Sequence, residues 1–194
     1  MSVGRVIVLN GPSSAGKSTL CKALQKTSDE YWWHVQMDTF TTMQPTWVMP
    51  EPAPGEKDHL SWNHEVRLAG FLSGYYQCIR VLALAGNNVI ADAGFLKVEW
   101  LLEQIDALDG IDSLYVGVFC PLEEVERREL ARGDRQPGYA RSQYEVVHNH
   151  GPYDVEVDTS LLGPDEIARV IRKALATPPY PKAFTRILGR HRAK

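Results

Sequence analysis

The residues Gly11-Pro12-Ser13-Ser14-Ala15-Gly16-Lys17-Ser18-Thr19 fit the phosphate-binding loop pattern G-x-x-x-x-G-K-[ST] without a gap. Glycines at its two fixed positions let the backbone curl with N–H groups pointing inward. That makes an anion nest at a helix N-terminus. Lys17 is spaced to reach the β- and γ-phosphates of a nucleotide, and the Ser18 hydroxyl to sit on Mg²⁺. A plain glycine turn between strand and helix is the alternative. The rarity of the full pattern, and its place directly after an apolar strand, favour nucleotide binding.

Three further groups could take part in such chemistry. Asp38 follows the run Tyr31–Met37. A carboxylate there could orient and deprotonate an acceptor hydroxyl, a role worth ~10²–10⁴ in rate, although a loose phosphoryl-transfer transition state needs positioning at least as much as basicity. Asp38 could equally cap the helix that Thr39 begins. Asp92 ends Asn88-Val89-Ile90-Ala91-Asp92, where P-loop proteins place the acid that holds Mg²⁺, directly or through water. A turn aspartate before Gly94 is the other reading. Arg127, Arg128, Arg132 and Arg135 lie on one helix end and the loop after it. Guanidinium groups suit the charge that spreads over a transferring phosphoryl. Glu124 and Arg128 could pair along the helix, and a solvated basic face is the usual meaning of such a run. Beside a P-loop, Arg132 or Arg135 is favoured as part of a closing lid. His148 and His150 flank Asn149 with nothing else to suggest a metal. Met43, Trp47 and Trp62 line an acceptor pocket or are ordinary packing.

The elements that must position these groups alternate. Strands are expected at Arg5–Asn10, Tyr31–Met37, Asn88–Asp92, Ser113–Cys120 and Tyr153–Asp158. Helices are expected at Thr19–Lys26, Thr39–Met43, Trp62–Ala85, Val98–Leu108, from Pro121 into the arginine run, at Arg141–His148 and at Pro164–Ala176. This is an α/β pattern: a five-stranded parallel sheet flanked by helices, with ligands at the carboxyl ends of the strands. Residues 1–176 read as one domain. Within it, residues 44–62 are an irregular acceptor-side segment rich in proline, and 127–140 an arginine lid. Residues 177–194 read as a basic, solvated, peripheral tail.

The 194 residues suffice for one real core. A net charge of −3 gives no basic field for nucleic acid. Cys21, Cys78 and Cys120 form no C-x-x-C and read as buried reduced thiols. The chain enters a core strand at once, leaving no room for a signal peptide, and no run approaches 18 apolar residues. A cytoplasmic protein is expected.

The residues also resemble a known family, the chloramphenicol phosphotransferase-like proteins, small ATP-dependent kinases of antibiotic hydroxyls. The matching pieces are Ile7–Ser18, Met37-Asp38-Thr39, Ala131-Arg132-Gly133-Asp134-Arg135 and Tyr153-Asp154-Val155-Glu156-Val157-Asp158-Thr159. The last two runs are the specific ones. The resemblance implies a nucleoside-monophosphate-kinase-like sheet, Mg-ATP as donor, Asp38 as general base, and lid duty for Arg132 and Arg135. Ala93 stands where a second acid would complete a carboxylate pair, and Gln44–Trp62 differs from the family's antibiotic kinase. The reaction therefore carries over further than the acceptor: chloramphenicol, another antibiotic alcohol as in antibiotic resistance, or a metabolite. A nucleotide-dependent switch or ATP-binding module with slow hydrolysis is the competing function, but the chain lacks Asn-Lys-x-Asp for guanine. An inactive structural protein on the same fold is a third, which intact Lys17, Ser18 and Asp38 oppose.

Overall fold

Strand β1 (Val6–Asn10) is buried at every residue because it lies mid-sheet with helices on both faces. The computed structural model describes residues 2–44, 65–133 and 137–192. In chain order β1 is followed by α1 (Lys17–Thr27), β2 (Trp32–Gln36), α2 (Met37–Thr42), α3 (Glu65–Leu84), β3 (Asn88–Ala93) and α4 (Val98–Ala107). Then come β4 (Ser113–Phe119), α5 (Leu122–Arg132), α6 (Tyr139–Tyr144), β5 (Val155–Asp158), α7 (Pro164–Ala176) and α8 (Ala183–Arg192). The sheet order is β2-β3-β1-β4-β5 and every pairing is parallel. Strand order reverses at β1, so the crevice of the doubly wound sheet opens where β1 ends and the glycine loop begins.

Alternate residues of β1 serve two cores. Val6 and Val8 pack with Tyr75, Tyr76 and Ile79 of α3 and Leu101 of α4. Ile7 and Leu9 pack with Leu20 and Leu24 of α1 and Ile167 and Ile171 of α7. Each such side chain contributes about 1.5–3 kcal/mol on burial. The α1–α7 ion pair, Lys26–Asp165 at 3.4 Å, has side chains 74% and 50% exposed and contributes at most about 1 kcal/mol. Apolar packing therefore fixes α1, and with it Lys17 and Ser18. The Tyr75 hydroxyl lies 3.1 Å from both the Val35 and Asp92 carbonyls, tying the site ends of β2 and β3 together.

Two expectations need correction. Strand β2 stops at Gln36 and α2 starts at Met37, so Asp38 lies in the first helical turn. Gln36, not Asp38, is the N-cap, which removes the capping explanation for Asp38. The C-terminal segment is not simply a solvated tail. Ala183 and Ile187, four apart on one face of α8, are buried in the first core. Arg186 donates to the Tyr153 carbonyl at 2.7 Å, the Ala183 N–H donates to Asp154 Oδ1 at 2.6 Å, and Lys182 pairs with Asp112. Prolines and cations around this stretch conceal its short apolar stripe. No helix of the described residues is long and apolar enough to cross a membrane, and Cys21, Cys78 and Cys120 are free thiols. Trp47, Trp62 and most of the 44–62 segment lie outside the described residues.

Candidate active site

The loop leaves β1 through Gly11, where a Cβ would stand 2.4 Å from the Val118 carbonyl oxygen; only glycine fits. Ser14 at φ 61° and Gly16 at φ 94° are both left-handed, the kind of backbone reversal that turns successive N–H groups toward one centre. Asn10 anchors the end of β1 from which the loop starts, and Gln143 and Thr159 hold the loop itself. Asn10 accepts from the Phe95 N–H at 2.9 Å through Oδ1, and donates through Nδ2 to the Val147 carbonyl at 2.8 Å and the Tyr153 hydroxyl at 2.7 Å. The Ser13 N–H donates to Gln143 Oε1 at 2.7 Å. Thr159 Oγ1 donates to the Ala15 carbonyl at 2.8 Å. Pro12 and Ala15 are buried beneath the loop, while Ser13, Ser14, Gly16, Lys17, Ser18 and Thr19 line the cleft.

Lys17 folds over the loop. Its Nζ donates to the Gly11 and Pro12 carbonyls at 2.8 and 2.9 Å and lies 3.8 Å from Asp92 Oδ1. Ser18 Oγ donates to Asp92 Oδ2 at 2.9 Å and accepts from Gln36 Nε2 at 3.1 Å. Burial opposes the charge on Asp92, but the Lys17 ammonium, the His34 ring and the Ser18 hydroxyl outweigh it, holding the carboxyl below the usual carboxylate range. A hydroxyl and an ionised carboxylate at this spacing form a hard oxygen donor set, suited to Mg²⁺.

Asp38 is exposed and lines the same cleft, a cavity of about 1200 Å³ with Leu68, Phe71, Leu72 and Trp100 on its apolar wall. Arg128 and Arg132 also reach it. Arg128 Nη1 donates to Thr159 Oγ1 at 2.9 Å, Nη2 to the Thr159 carbonyl at 3.1 Å, and Nε to Glu124 Oε1 at 2.7 Å. The expected Glu124–Arg128 pair therefore forms, and the same guanidinium still lies against Gly16. Arg127 takes both oxygens of Glu124 at 2.7 Å, and hydrogen bonds first from Arg127 and then from Arg128 bring the Glu124 carboxyl down to about 2. Arg132 is exposed at the end of α5. Arg135 lies outside the described residues. Buried Glu129 accepts from the Gly138 and Ala140 N–H groups at 2.8 and 2.7 Å, which returns the chain from the 127–140 segment into α6.

The structure thus brings Lys17, Ser18, Asp38, Asp92, Arg128 and Arg132 around one cleft. Sequence reasoning missed Asn10, Gln36, Gln143 and Glu129. Asn10 carried a usable clue, a polar residue closing an otherwise apolar strand. Gln143 carried none, being separated from Ser13 by 130 positions in the chain.

His148 lies beneath the loop, stacked on Phe119 at 4.0 Å, with Nδ1 2.7 Å from the Tyr153 hydroxyl. The same hydroxyl accepts from Asn10 Nδ2 at 2.7 Å, so the imidazole and the end of β1 meet at one oxygen. Burial, then the charge of Lys17, push the imidazole down to about 4. The unfolded chain, with an ordinary value near ~6.5, takes this proton first. The stabilising contribution of neutral His148 is complete above that value and is lost as pH falls toward the folded value. Urea unfolding at successive pH values should show this loss, and His148→Gln should flatten the curve over that window. An unchanged slope in the variant would contradict the assignment.

Comparison with known proteins agrees with this fold. The chain is 34% identical to "Putative O-phosphotransferase" of Mycobacterium tuberculosis strain H37Rv, covering 98% of this chain and 90% of that one. The M. tuberculosis APS kinase, solved with AMPPNP and APS, superposes with a TM-score of 0.67 at 16% identity, covering 91% of this chain and all of that chain. The tunicamycin resistance protein of Deinococcus radiodurans gives 0.60 at 15% identity, covering 92% and 99%. These two share the fold. Fold and family together support an ATP-dependent phosphotransferase. The family model for chloramphenicol phosphotransferase-like proteins matches residues 4–176, and the chain belongs to that family.

Proposed function

We propose that the protein transfers the γ-phosphoryl of ATP to a hydroxyl of a small molecule, with chloramphenicol the first candidate and related antibiotic or metabolite alcohols next. The observation that carries this reading is the shared cleft, with Asp38 on one side and Lys17, Ser18 and Asp92 on the other. Pockets for a single small ligand run to about 300–1000 Å³. A cavity of about 1200 Å³ leaves room for an acceptor beside the nucleotide, which a simple nucleotide switch does not need.

The loop N–H groups from Ser14 to Ser18 receive the phosphates, and the left-handed turn at Gly16 keeps side-chain bulk away from them. Lys17 exchanges two carbonyl acceptors for phosphate oxygens, turning neutral-acceptor hydrogen bonds into stronger charge-assisted ones. Ser18 and Asp92 would hold Mg²⁺, which when bound neutralises charge on the β- and γ-oxygens. Asp38 accepts the acceptor's hydroxyl proton as that oxygen bonds to phosphorus and ADP leaves. Arg128 steadies the loop through Thr159. Arg132, which lines the cleft, meets the charge on the transferring group, a duty proposed for Arg135 as well.

The test is incubation with Mg-ATP and chloramphenicol, followed by mass spectrometry of the alcohol. A phosphorylated product is expected. ADP without a phosphorylated alcohol would reject this acceptor and move the search to a panel of metabolite alcohols.

A further inference from the structure

The second turn of α1, the middle of β2 and the end of β3 bring together three ligand-type side chains, two of which the transfer reaction does not use. Cys21 stands one turn beyond Ser18 on α1, His34 lies on β2, and Asp92 on β3. One donor atom from each, a thiol sulfur, a ring nitrogen and a carboxylate oxygen, lies within 4.8 Å of the other two. His34 Nε2 is 3.7 Å from Asp92 Oδ2, beyond hydrogen-bond range, and is buried with no hydrogen-bond partner. The His34 and Asp92 side chains are only 13% and 11% exposed, and Cys21 is fully buried. An orphaned ring nitrogen aimed at a carboxylate beside a thiol is an arrangement that a cation would complete.

The donor set selects the kind of cation. Sulfur, imidazole nitrogen and one carboxylate oxygen suit Zn²⁺ and poorly suit Mg²⁺. In a tetrahedral zinc site, bonds of about 2.0–2.3 Å put ligand atoms roughly 3.3–3.8 Å apart. The His34–Asp92 pair already has that spacing, so the thiol has at most roughly 1–1.5 Å to close. A water from the cleft that Asp92 lines can take the fourth position. The carboxylate oxygen facing His34 is Oδ2, the same oxygen that accepts from Ser18.

We propose that Cys21, His34 and Asp92 form a binding site for Zn²⁺ or a similar borderline-soft divalent ion, and that filling it takes Asp92 from Ser18 and inhibits the enzyme. The thiol proton passes to solvent as the ion binds, with no redox change. The inhibitory half rests on the phosphotransferase reading; the binding half does not.

Co²⁺ titrated into the metal-free full-length protein reports the site directly, because thiolate ligation gives a sulfur-to-cobalt charge-transfer band. One equivalent should produce that band, and Zn²⁺ should displace it. Cys21→Ala should lose the band, and so should the size-conserving Cys21→Ser, which serves if the alanine variant folds poorly. His34→Gln should bind at least about ten- to hundred-fold more weakly, since changing even an outer-shell partner costs that much. In the parent, Zn²⁺ should inhibit acceptor-dependent ADP release at saturating Mg-ATP. The Cys21 variants, with basal activity unchanged, should resist it by a similar factor. No charge-transfer band in the parent, or an intact band in both Cys21 variants, overturns the site. A full band with unaltered ADP release overturns the inhibition alone. A band in a protein that releases no ADP with any acceptor leaves the site standing and instead counts against the phosphotransferase reading.

Discussion

Lys17→Ala should lower kcat/KM for phosphoryl transfer by at least roughly 10²–10³, the cost of removing one preorganised donor from developing charge. Two effects act together. The phosphates lose the one ammonium that the loop holds over itself, at 2.8 and 2.9 Å from its own carbonyls. Asp92 loses the nearest charge offsetting its burial, so its carboxyl should move up from its lowered position and hold a cation less well. Lys17→Arg should not rescue the loss, because a planar guanidinium fork differs in shape and reach from a compact ammonium. A coupled ADP assay with a nucleotide-binding titration checks this, and a melting curve separates it from unfolding. A variant that binds and turns over ATP like the parent would remove the P-loop from the mechanism.

Asp38→Asn should cost ~10²–10⁴ in kcat while leaving ATP affinity near that of the parent. The substitution preserves size and one acceptor oxygen, and removes the negative charge and with it the capacity to take a proton. Because Asp38 lies on α2 rather than on the loop, the nucleotide site should be undisturbed. Loss confined to kcat marks an interaction made in the transition state, whereas a rise in KM alone would make Asp38 a binding residue. Near-full activity would show that the proton leaves by another route.

The features legible in the sequence are those written in local pattern. The apolar run before Gly11 marked a buried strand, and the periodicity of Ile167, Val170, Ile171 and Leu175 marked α7. The glycine-lysine-serine spacing placed Lys17 and Ser18 on α1, and parallel pairing of β1 with β3 puts Asp92 opposite Leu9, next to them. What escaped depends on long-range contact. Gln143 reaches Ser13, Glu129 caps the return into α6, and His148 sits under the loop only because β4 and β5 pair beside β1. The start of α2 was misplaced by two residues, enough to make a residue inside the first turn read as a possible cap. Helix α8 was hidden because two buried positions, Ala183 and Ile187, are a faint stripe among prolines and cations.

The most direct measurement is ADP release from Mg-ATP with and without an alcohol acceptor, beginning with chloramphenicol and extending across antibiotic and metabolite alcohols. The expected result is release that rises with one acceptor and matches the amount of phosphorylated product. Slow release, equal in the presence and absence of every alcohol tried, would contradict a phosphotransferase and favour a nucleotide switch.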